Sequence, residues 1–150
     1  MTKFKKIALF LVIVLVGIQF IPIKYNLNKE VLATDFLEAN DVPLAVANTI
    51  KTSCYDCHSN NTSYPWYSKI QPMGMLMQDH IEDGKEELNF SEFDTYSKRK
   101  KRSKLKSIIN QIKDDEMPLS SYLLMHSDAK LNEQTRKELV DYFNKVLENL

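Results

Sequence analysis

The chain has 150 residues, with 20 Lys plus Arg against 20 Asp plus Glu, which leaves room for one domain of ordinary size once any membrane segment is set aside. This balance excludes the broad basic footprint of a nucleic-acid binder. The charges are unevenly spread, however: Lys3, Lys5 and Lys6 precede the first apolar run, and all 20 acids follow it.

Residues Ile7 to Ile21 carry no charge and follow those lysines, the pattern of a signal peptide or a single membrane anchor. At about 1.5 Å per residue the run reaches roughly 23 Å, against a hydrocarbon core of about 30 Å. To cross, it needs Phe4 and Ile23 as extensions and Lys5 and Lys6 to snorkel. Gln19, Phe20, Ile21, Pro22 and Ile23 make a poor cleavage site, which favours an uncleaved anchor over residues 1–23, lysines inside and the remainder exported. Residues 24–40 are polar and weakly periodic, and are expected to be a tether with at most a helical turn around Val31 to Leu37. A domain is expected over residues 41–150.

Asp41 is a good N-cap and Pro43 is tolerated in a first helical turn, so Leu44, Val46, Ala47 and Ile50 are expected to carry a helix into Cys54. There the chain reads Cys54-Tyr55-Asp56-Cys57-His58. Two thiols three residues apart with a histidine directly after them form the attachment pattern for c-type haem. On one helical turn both sulfurs reach the two vinyl groups of one porphyrin, and the adjacent imidazole meets the iron as proximal ligand. Three other readings use the same residues. A thiol redox pair is expected at a helix start within a βαβ unit, and no strand pattern lies nearby. A structural zinc site needs two more ligands at close spacing, and His80 and His126 are 22 and 68 residues beyond His58. A Cys54–Cys57 disulfide would close too short a loop to stabilise much.

After the turn cluster Ser59 to Ser63 come Tyr64-Pro65-Trp66-Tyr67. These aromatics are candidates for a wall at the porphyrin edge, with the Trp66 indole or a tyrosine hydroxyl reaching a propionate; ordinary core and surface roles are the alternative. Pro72 is expected to open a helix whose apolar stripe is Met73, Leu76, Met77, His80 and Ile81, placing His80 on the buried face, with Gly84 as its stop. Asn89 or Ser91 should cap a short helix with Phe90 and Phe93 turned inward.

Lys98 to Lys106 holds seven bases in nine residues and leads into Leu105, Ile108, Ile109 and Ile112 at helical spacing. A solvated helix face is one reading of the run; a dock for an acidic redox partner or anionic lipid is the other. Pro118 pushes Met117 out of helical geometry into an extended loop. There its thioether is a candidate sixth iron ligand, a pairing with histidine that raises the reduction potential; a gap-filling core methionine is the commoner role. His80, a vacant or water-filled position, Met73, Met77 and His126 are the other candidates. Asn132 should cap a last helix with Leu139, Val140, Phe143, Val146, Leu147 and Leu150 on one face, packed across the haem-bearing helix.

Five strings together resemble the bacterial haem-binding domain family of small c-type cytochrome-like proteins: Cys-Tyr-Asp-Cys-His-Ser-Asn (54 to 60), Tyr-Pro-Trp-Tyr-Ser (64 to 68), Leu-Asn-Phe-Ser-Glu-Phe (88 to 93), Met-Pro-Leu-Ser-Ser-Tyr (117 to 122) and His-Ser-Asp-Ala-Lys-Leu (126 to 131). The apolar N-terminus ending in Gln19-Phe20-Ile21 is also similar to that family's anchor. The resemblance implies covalent haem held by Cys54, Cys57 and His58 with Met117 in the Met-Pro loop, an all-helical fold similar to cytochrome c, and periplasmic electron transfer, sometimes beside di-haem peroxidase modules. Leu119 stands where many relatives carry a second proline.

The expectation is therefore an all-α, cytochrome c-like domain of four or five helices around one covalent haem c, behind one transmembrane helix in the bacterial inner membrane, with the C-terminal domain in the periplasm. The role expected is electron carriage with His58 and Met117 on the iron, not enzymatic catalysis, and no catalytic residue is assigned. A haem sensor or a peroxidase-associated module, with the sixth position open or held by His80, is the alternative. A periplasmic redox partner, docking at residues 98–106, and the membrane are the expected partners; nucleic acid is not.

Overall fold

The computed structural model describes residues 2–28 and 30–150; Met1 of the expected anchor and Lys29 of the expected tether lie outside the described residues. The described residues are all-helical apart from one isolated antiparallel bridge between Leu27 and Asn61. Helix α1 (Lys3–Ile18) is followed by α2 (Phe36–Ala39), α3 (Leu44–Ser53), α4 (Tyr55–His58), α5 (Met73–Glu87), α6 (Lys98–Lys113), α7 (Ser120–Leu123) and α8 (Glu133–Glu148). Short 3-10 helices cover Trp66–Lys69, Phe90–Thr95 and Ser127–Ala129.

Helix α1 starts earlier and stops earlier than the apolar run suggests. It takes in all three lysines and ends at Ile18, where the Gln19 N–H turns back to Val16 and Gly17. Sixteen residues reach about 24 Å, less than the roughly 30 Å of a bilayer core. No helix among the described residues is long and apolar enough to cross a membrane. None of its side chains is buried.

The segment expected as a tether is instead part of the domain. Phe36 is fully buried and is the hub of an aromatic core, its ring 5.1 Å from Phe93, 5.5 Å from Phe90 and 5.7 Å from Phe143. Asp35 holds it there by capping α2, its Oδ1 accepting from the Leu37 N–H at 2.9 Å. Further upstream, Asn28 donates to the Asn60 carbonyl at 2.9 Å, Thr62 donates to that of Asn26 at 3.0 Å, and Lys85 reaches the Asn26 side chain at 2.7 Å. A four-residue helix carries too little periodicity to be read from sequence, and its one core side chain sits among polar neighbours.

Helix α3 begins at Leu44 with Pro43, not Asp41, in the N-cap position, and ends at Ser53. The motif then forms its own turn, α4, beyond a break at Cys54, where the expectation had one helix run straight into it. The Asn132 cap forms as expected: its Oδ1 accepts from Thr135 N–H at 2.9 Å. Leu139, Val140 and Phe143 are buried, together with Tyr142, and α8 packs on α6 and on α3. Ser97 caps α6, whose Leu105, Ile109 and Ile112 face the core.

Helix α5 departs most from its expected stripe. Met73 is 43% and Leu76 48% exposed, and His80 is exposed rather than buried. The buried face instead runs through Gly74, Ile81 and, one residue past the helix, Leu88, at heptad spacing, with Gly84 beside it. The helix does not stop at Gly84 but continues to Glu87. Gly74 has no space for a Cβ, which would meet Ile23 and the Ser68 carbonyl; at Gly84 a Cβ would lie 2.8 Å from the Cys57 carbonyl oxygen. These glycines are where neighbouring backbone comes closest, so the large apolar residues that drew the sequence reading are displaced outward.

Phe36→Ala should lower unfolding free energy by about 3–5 kcal/mol, the range for a large aromatic removed from a packed core. A tether residue would change it by under about 0.5 kcal/mol. Urea unfolding of the detergent-solubilised chain, followed by far-UV circular dichroism, distinguishes the two.

Candidate functional site

Helix α4 is clamped from three directions, and each clamp uses a residue of the motif. Tyr55 donates to Asp35 Oδ1 at 2.7 Å and stacks on Phe90 with ring centres 5.4 Å apart. Burial, and then this bond to a carboxylate, push its hydroxyl pKa well above the ordinary range. Asp56 accepts from the Ser63 N–H at 2.9 Å through Oδ1 and from the Tyr122 hydroxyl at 2.8 Å through Oδ2. Tyr122 is likewise shifted upward, by burial first and by Asp56 next. Beyond the motif, Asn60 is buried and tied to the 3-10 segment that starts at Phe90. Its N–H donates to Ser91 Oγ at 3.1 Å, and its side-chain oxygen accepts from Asn89 Nδ2 at 2.9 Å.

His58 is held by α5. Its Nδ1 lies 2.8 Å from the Gly84 carbonyl oxygen and 3.1 Å from that of Leu88. A carbonyl only accepts, so Nδ1 carries the proton and donates. The lone pair is then on Nε2, the arrangement of a histidine prepared for a metal ligand with its outer nitrogen fixed by a backbone carbonyl. Gly84 makes this possible, because a Cβ there would push α5 off the Cys57 backbone.

Two adjoining cavities, of about 220 and 240 Å³, open beside α4. Both are lined by Ser53, Cys54, His58, Glu87, Met117 and Pro118, so they form one cleft. The first adds Asp56, Cys57, His80, Asp83, Gly84, Leu119 and Tyr122. The second has an apolar wall of Leu88, Phe90, Ile108, Ile112 and Leu131, with Lys104, Ser107 and Gln111 at its α6 edge. Two thiols, an imidazole with one nitrogen already committed and a thioether, set against an apolar wall, fit an iron porphyrin.

Both thiols are free. Burial pushes Cys54 up to about 12, with Cys57 beside it adding to the shift. Cys57 is pushed up to about 11, by burial first and the Asp56 carboxylate second. Dithiol redox centres work through lowered thiol pKa values, so the environment here is the opposite of what such a centre needs. Among the described residues no group of three or more His, Cys, Asp and Glu is arranged to hold a metal ion, the cluster that the structural zinc reading requires.

The structure brings Cys54, Cys57, His58, Met117 and His80 to one cleft and leaves Trp66 out. The indole is 72% exposed, its ring against Tyr67, and lines neither cavity. Met73, Met77 and His126 also lie outside the lining. His126 has no nitrogen to spare: Nδ1 donates to the Tyr122 carbonyl at 3.1 Å, so Nε2 accepts from the Tyr67 hydroxyl at 3.2 Å. Met117 is half-buried in a loop pinned to the end of α6, its N–H donating to the Gln111 carbonyl at 3.2 Å. Arg136 of α8 secures that end further, donating to the Ile112 carbonyl at 2.9 Å and pairing with Asp115. The loop is thus held by hydrogen bonds where a second proline is lacking at Leu119.

Sequence reasoning missed Gly84 as a close-approach residue, Asp56 and Tyr122 as a clamp across the cleft, and Lys104 as a cation at its rim. The strings that contain Asp56 and Tyr122, and the basic run that contains Lys104, carried a signal, but none for their pairing or for their place at the cleft.

A family model described as a haem-binding domain matches residues 13–145. No curated protein and no solved structure gives a match. The family match spans the C-terminal part of α1, the motif, both cavity walls and most of α8. The match covers well over half of the chain, and the chain belongs to the haem-binding domain family.

Proposed function

We propose that this chain is a membrane-tethered c-type cytochrome that carries electrons. The observation that carries the reading is the His58 ring: its Nδ1–H is donated to the Gly84 and Leu88 carbonyls, leaving Nε2 as the lone-pair nitrogen of a residue lining the same cleft as Cys54, Cys57 and Met117. Haem, when bound, supplies a one-electron iron couple. Cys54 and Cys57 would anchor it as thioethers, His58 would be the proximal ligand and Met117 the sixth. Raised thiol pKa values favour this over thiol redox chemistry. With both axial positions filled, electron exchange is the remaining role, and no side chain is assigned to catalysis.

His80 supports a second reading, because it lines the first cavity and is exposed. A His80-ligated or open iron would suit a haem sensor or peroxidase-associated module. Met117 is favoured because it lines both halves of the cleft and its loop is pinned to α6 and α8.

Attachment of c-type haem takes place outside the bacterial inner membrane, so the domain is assigned to the periplasm, with α1 as its tether and the lysines of α1 inside. Its 16 residues need local thinning, snorkelling lysines or the turn after Ile18 to match the hydrocarbon thickness. The basic run supports a redox dock. Lys101 pairs with Asp94, Lys104 with Glu87 at 3.3 Å, and Lys100 lies over the Tyr96 ring, while Lys98, Arg99, Arg102 and Lys106 line a shallow exposed concavity. The same helix forms the cleft's edge through Lys104, Ser107 and Gln111, which would bring an acidic partner close to the haem.

The exported protein should show a pyridine haemochrome of the c type and a mass raised by one tetrapyrrole; colourless protein of unaltered mass overturns the reading. Met117→Ala should abolish the sulfur-to-iron charge-transfer band and lower the reduction potential, with His80→Ala leaving both unchanged, and the reverse result transfers the sixth position to His80. Cys57 in the haem-free chain should react with iodoacetamide roughly 100-fold more slowly at pH 7 than a thiol at its ordinary value of 9.0, the rate climbing until pH reaches about 11. In haem-loaded protein neither Cys54 nor Cys57 should be alkylated by iodoacetamide at any pH.

A further inference from the structure

One group of exposed apolar residues in the domain lies where the chain leaving α1 is bonded to it. Ile70 to Gln78 is nine residues without a charge, followed by six charged residues in the nine from Asp79 to Glu87. Within the uncharged part Ile70, Met73, Met75 and Leu76 are all exposed, and Trp66, the single tryptophan, projects from the 3-10 helix packed on the same turn of α5. The chain leaving α1 is bonded to this place by side chains. Gln19 and Gln71 exchange two hydrogen bonds, Gln19 Nε2 donating to the Gln71 carbonyl at 3.1 Å and Gln71 N–H donating to Gln19 Oε1 at 3.0 Å. Gln71 Nε2 also donates to the Ile21 carbonyl at 3.2 Å, Ile23 sits where a Gly74 Cβ would be, and the Lys24 N–H donates to Gln78 Oε1 at 3.0 Å.

We propose that the N-terminal turns of α5 and the Trp66–Lys69 helix seat the domain in the lipid interface into which α1 inserts. The inference rests on the reading of α1 as a membrane anchor. The occupant is a bilayer surface because the patch is continuous with α1 through those bonds, and its composition is that of an interfacial belt. Aliphatic and methionine side chains are exposed, one tryptophan lies on the helix packed against them, and Lys24 and Lys69, both exposed, are on the segments that join the patch. The cleft is then held at a set height and tilt over the membrane, and α6 is presented in one orientation.

The test uses haem-loaded full-length protein in phosphatidylcholine nanodiscs containing phosphatidylglycerol, reduced so that the iron is diamagnetic. Single cysteines are introduced as Met73→Cys, Leu76→Cys, Val12→Cys and Ser103→Cys and labelled with a nitroxide; the parent protein, its own sulfurs in thioethers, should take no label. Labels at 73 and 76 should collide several-fold more often with oxygen, relative to a water-soluble nickel chelate, than the label at 103 on α6. If both patch labels are as aqueous as that at 103 while the label at 12 lies in lipid, the seating is overturned and the anchor stands. If the label at 12 is aqueous too, the anchor reading itself fails and the seating with it. Dipolar broadening between labels at 73 that disappears on dilution with unlabelled protein would overturn it in favour of a second copy of the chain.

Discussion

The hydrogen bond from His58 Nδ1 to the backbone of α5 is the constraint around which the domain is arranged. It sets the tautomer, fixes the ring plane and raises the basicity of Nε2, effects that weigh as heavily at a metal site as the ligand itself. The bond requires the carbonyls of Gly84 and Leu88 to come within 3.1 Å of a ring on a separate helix, and that requires α5 to lie against the Cys57 backbone. Only a residue without a Cβ allows such an approach. Glycine costs helix stability at an interior position, roughly 1 kcal/mol relative to alanine, and here the cost is offset by the contact it permits.

The five strings on which the family resemblance rests are far apart in sequence and joined in space. The first is bonded to the third through Asn60, Asn89 and Ser91, and to the fourth through Asp56 and Tyr122. The second meets the fifth through Tyr67 and His126, whose ring stacks on Tyr122 at 4.0 Å. Most of these bonds lie in partly or fully buried surroundings, where leaving one group unpaired costs more than the bond itself contributes. The polar network and the aromatic core around Phe36 therefore do complementary work. Burial of apolar area drives the helices together, and the network selects the arrangement in which the motif, the methionine loop and α5 share one cleft.

Charge and apolarity are unevenly distributed over the surface. Of the α6 bases, Lys104 lies at the cleft's edge beside Glu87, while Lys98, Arg99, Arg102 and Lys106 line a separate exposed concavity. Asp56 and Asp83 line the cleft's other portion. Exposed Ile70, Met73, Met75 and Leu76 lie where the domain is joined to the chain leaving α1. A partner of opposite charge would be steered to the α6 side over distances of about a Debye length, roughly 8–10 Å in physiological salt.

What the sequence by itself determined was haem binding and the helical class. The Cys54 to His58 spacing pointed to haem, because one turn of helix sets where two sulfurs and an imidazole lie, and the family match bears out haem binding. The long amphipathic elements α6 and α8 declare themselves by periodicity. Pro118 takes Met117 out of the helix by steric exclusion, and that too is local. Tertiary structure decided the rest. Whether Phe36 belongs to a tether or to the core depends on rings more than fifty residues away, and which face of α5 is buried depends on where two glycines admit a neighbour's backbone. That Trp66 faces solvent, His126 is fully bonded and Met117 shares a cleft with His58 follows from packing between elements, for which a linear pattern of residue types carries no signal.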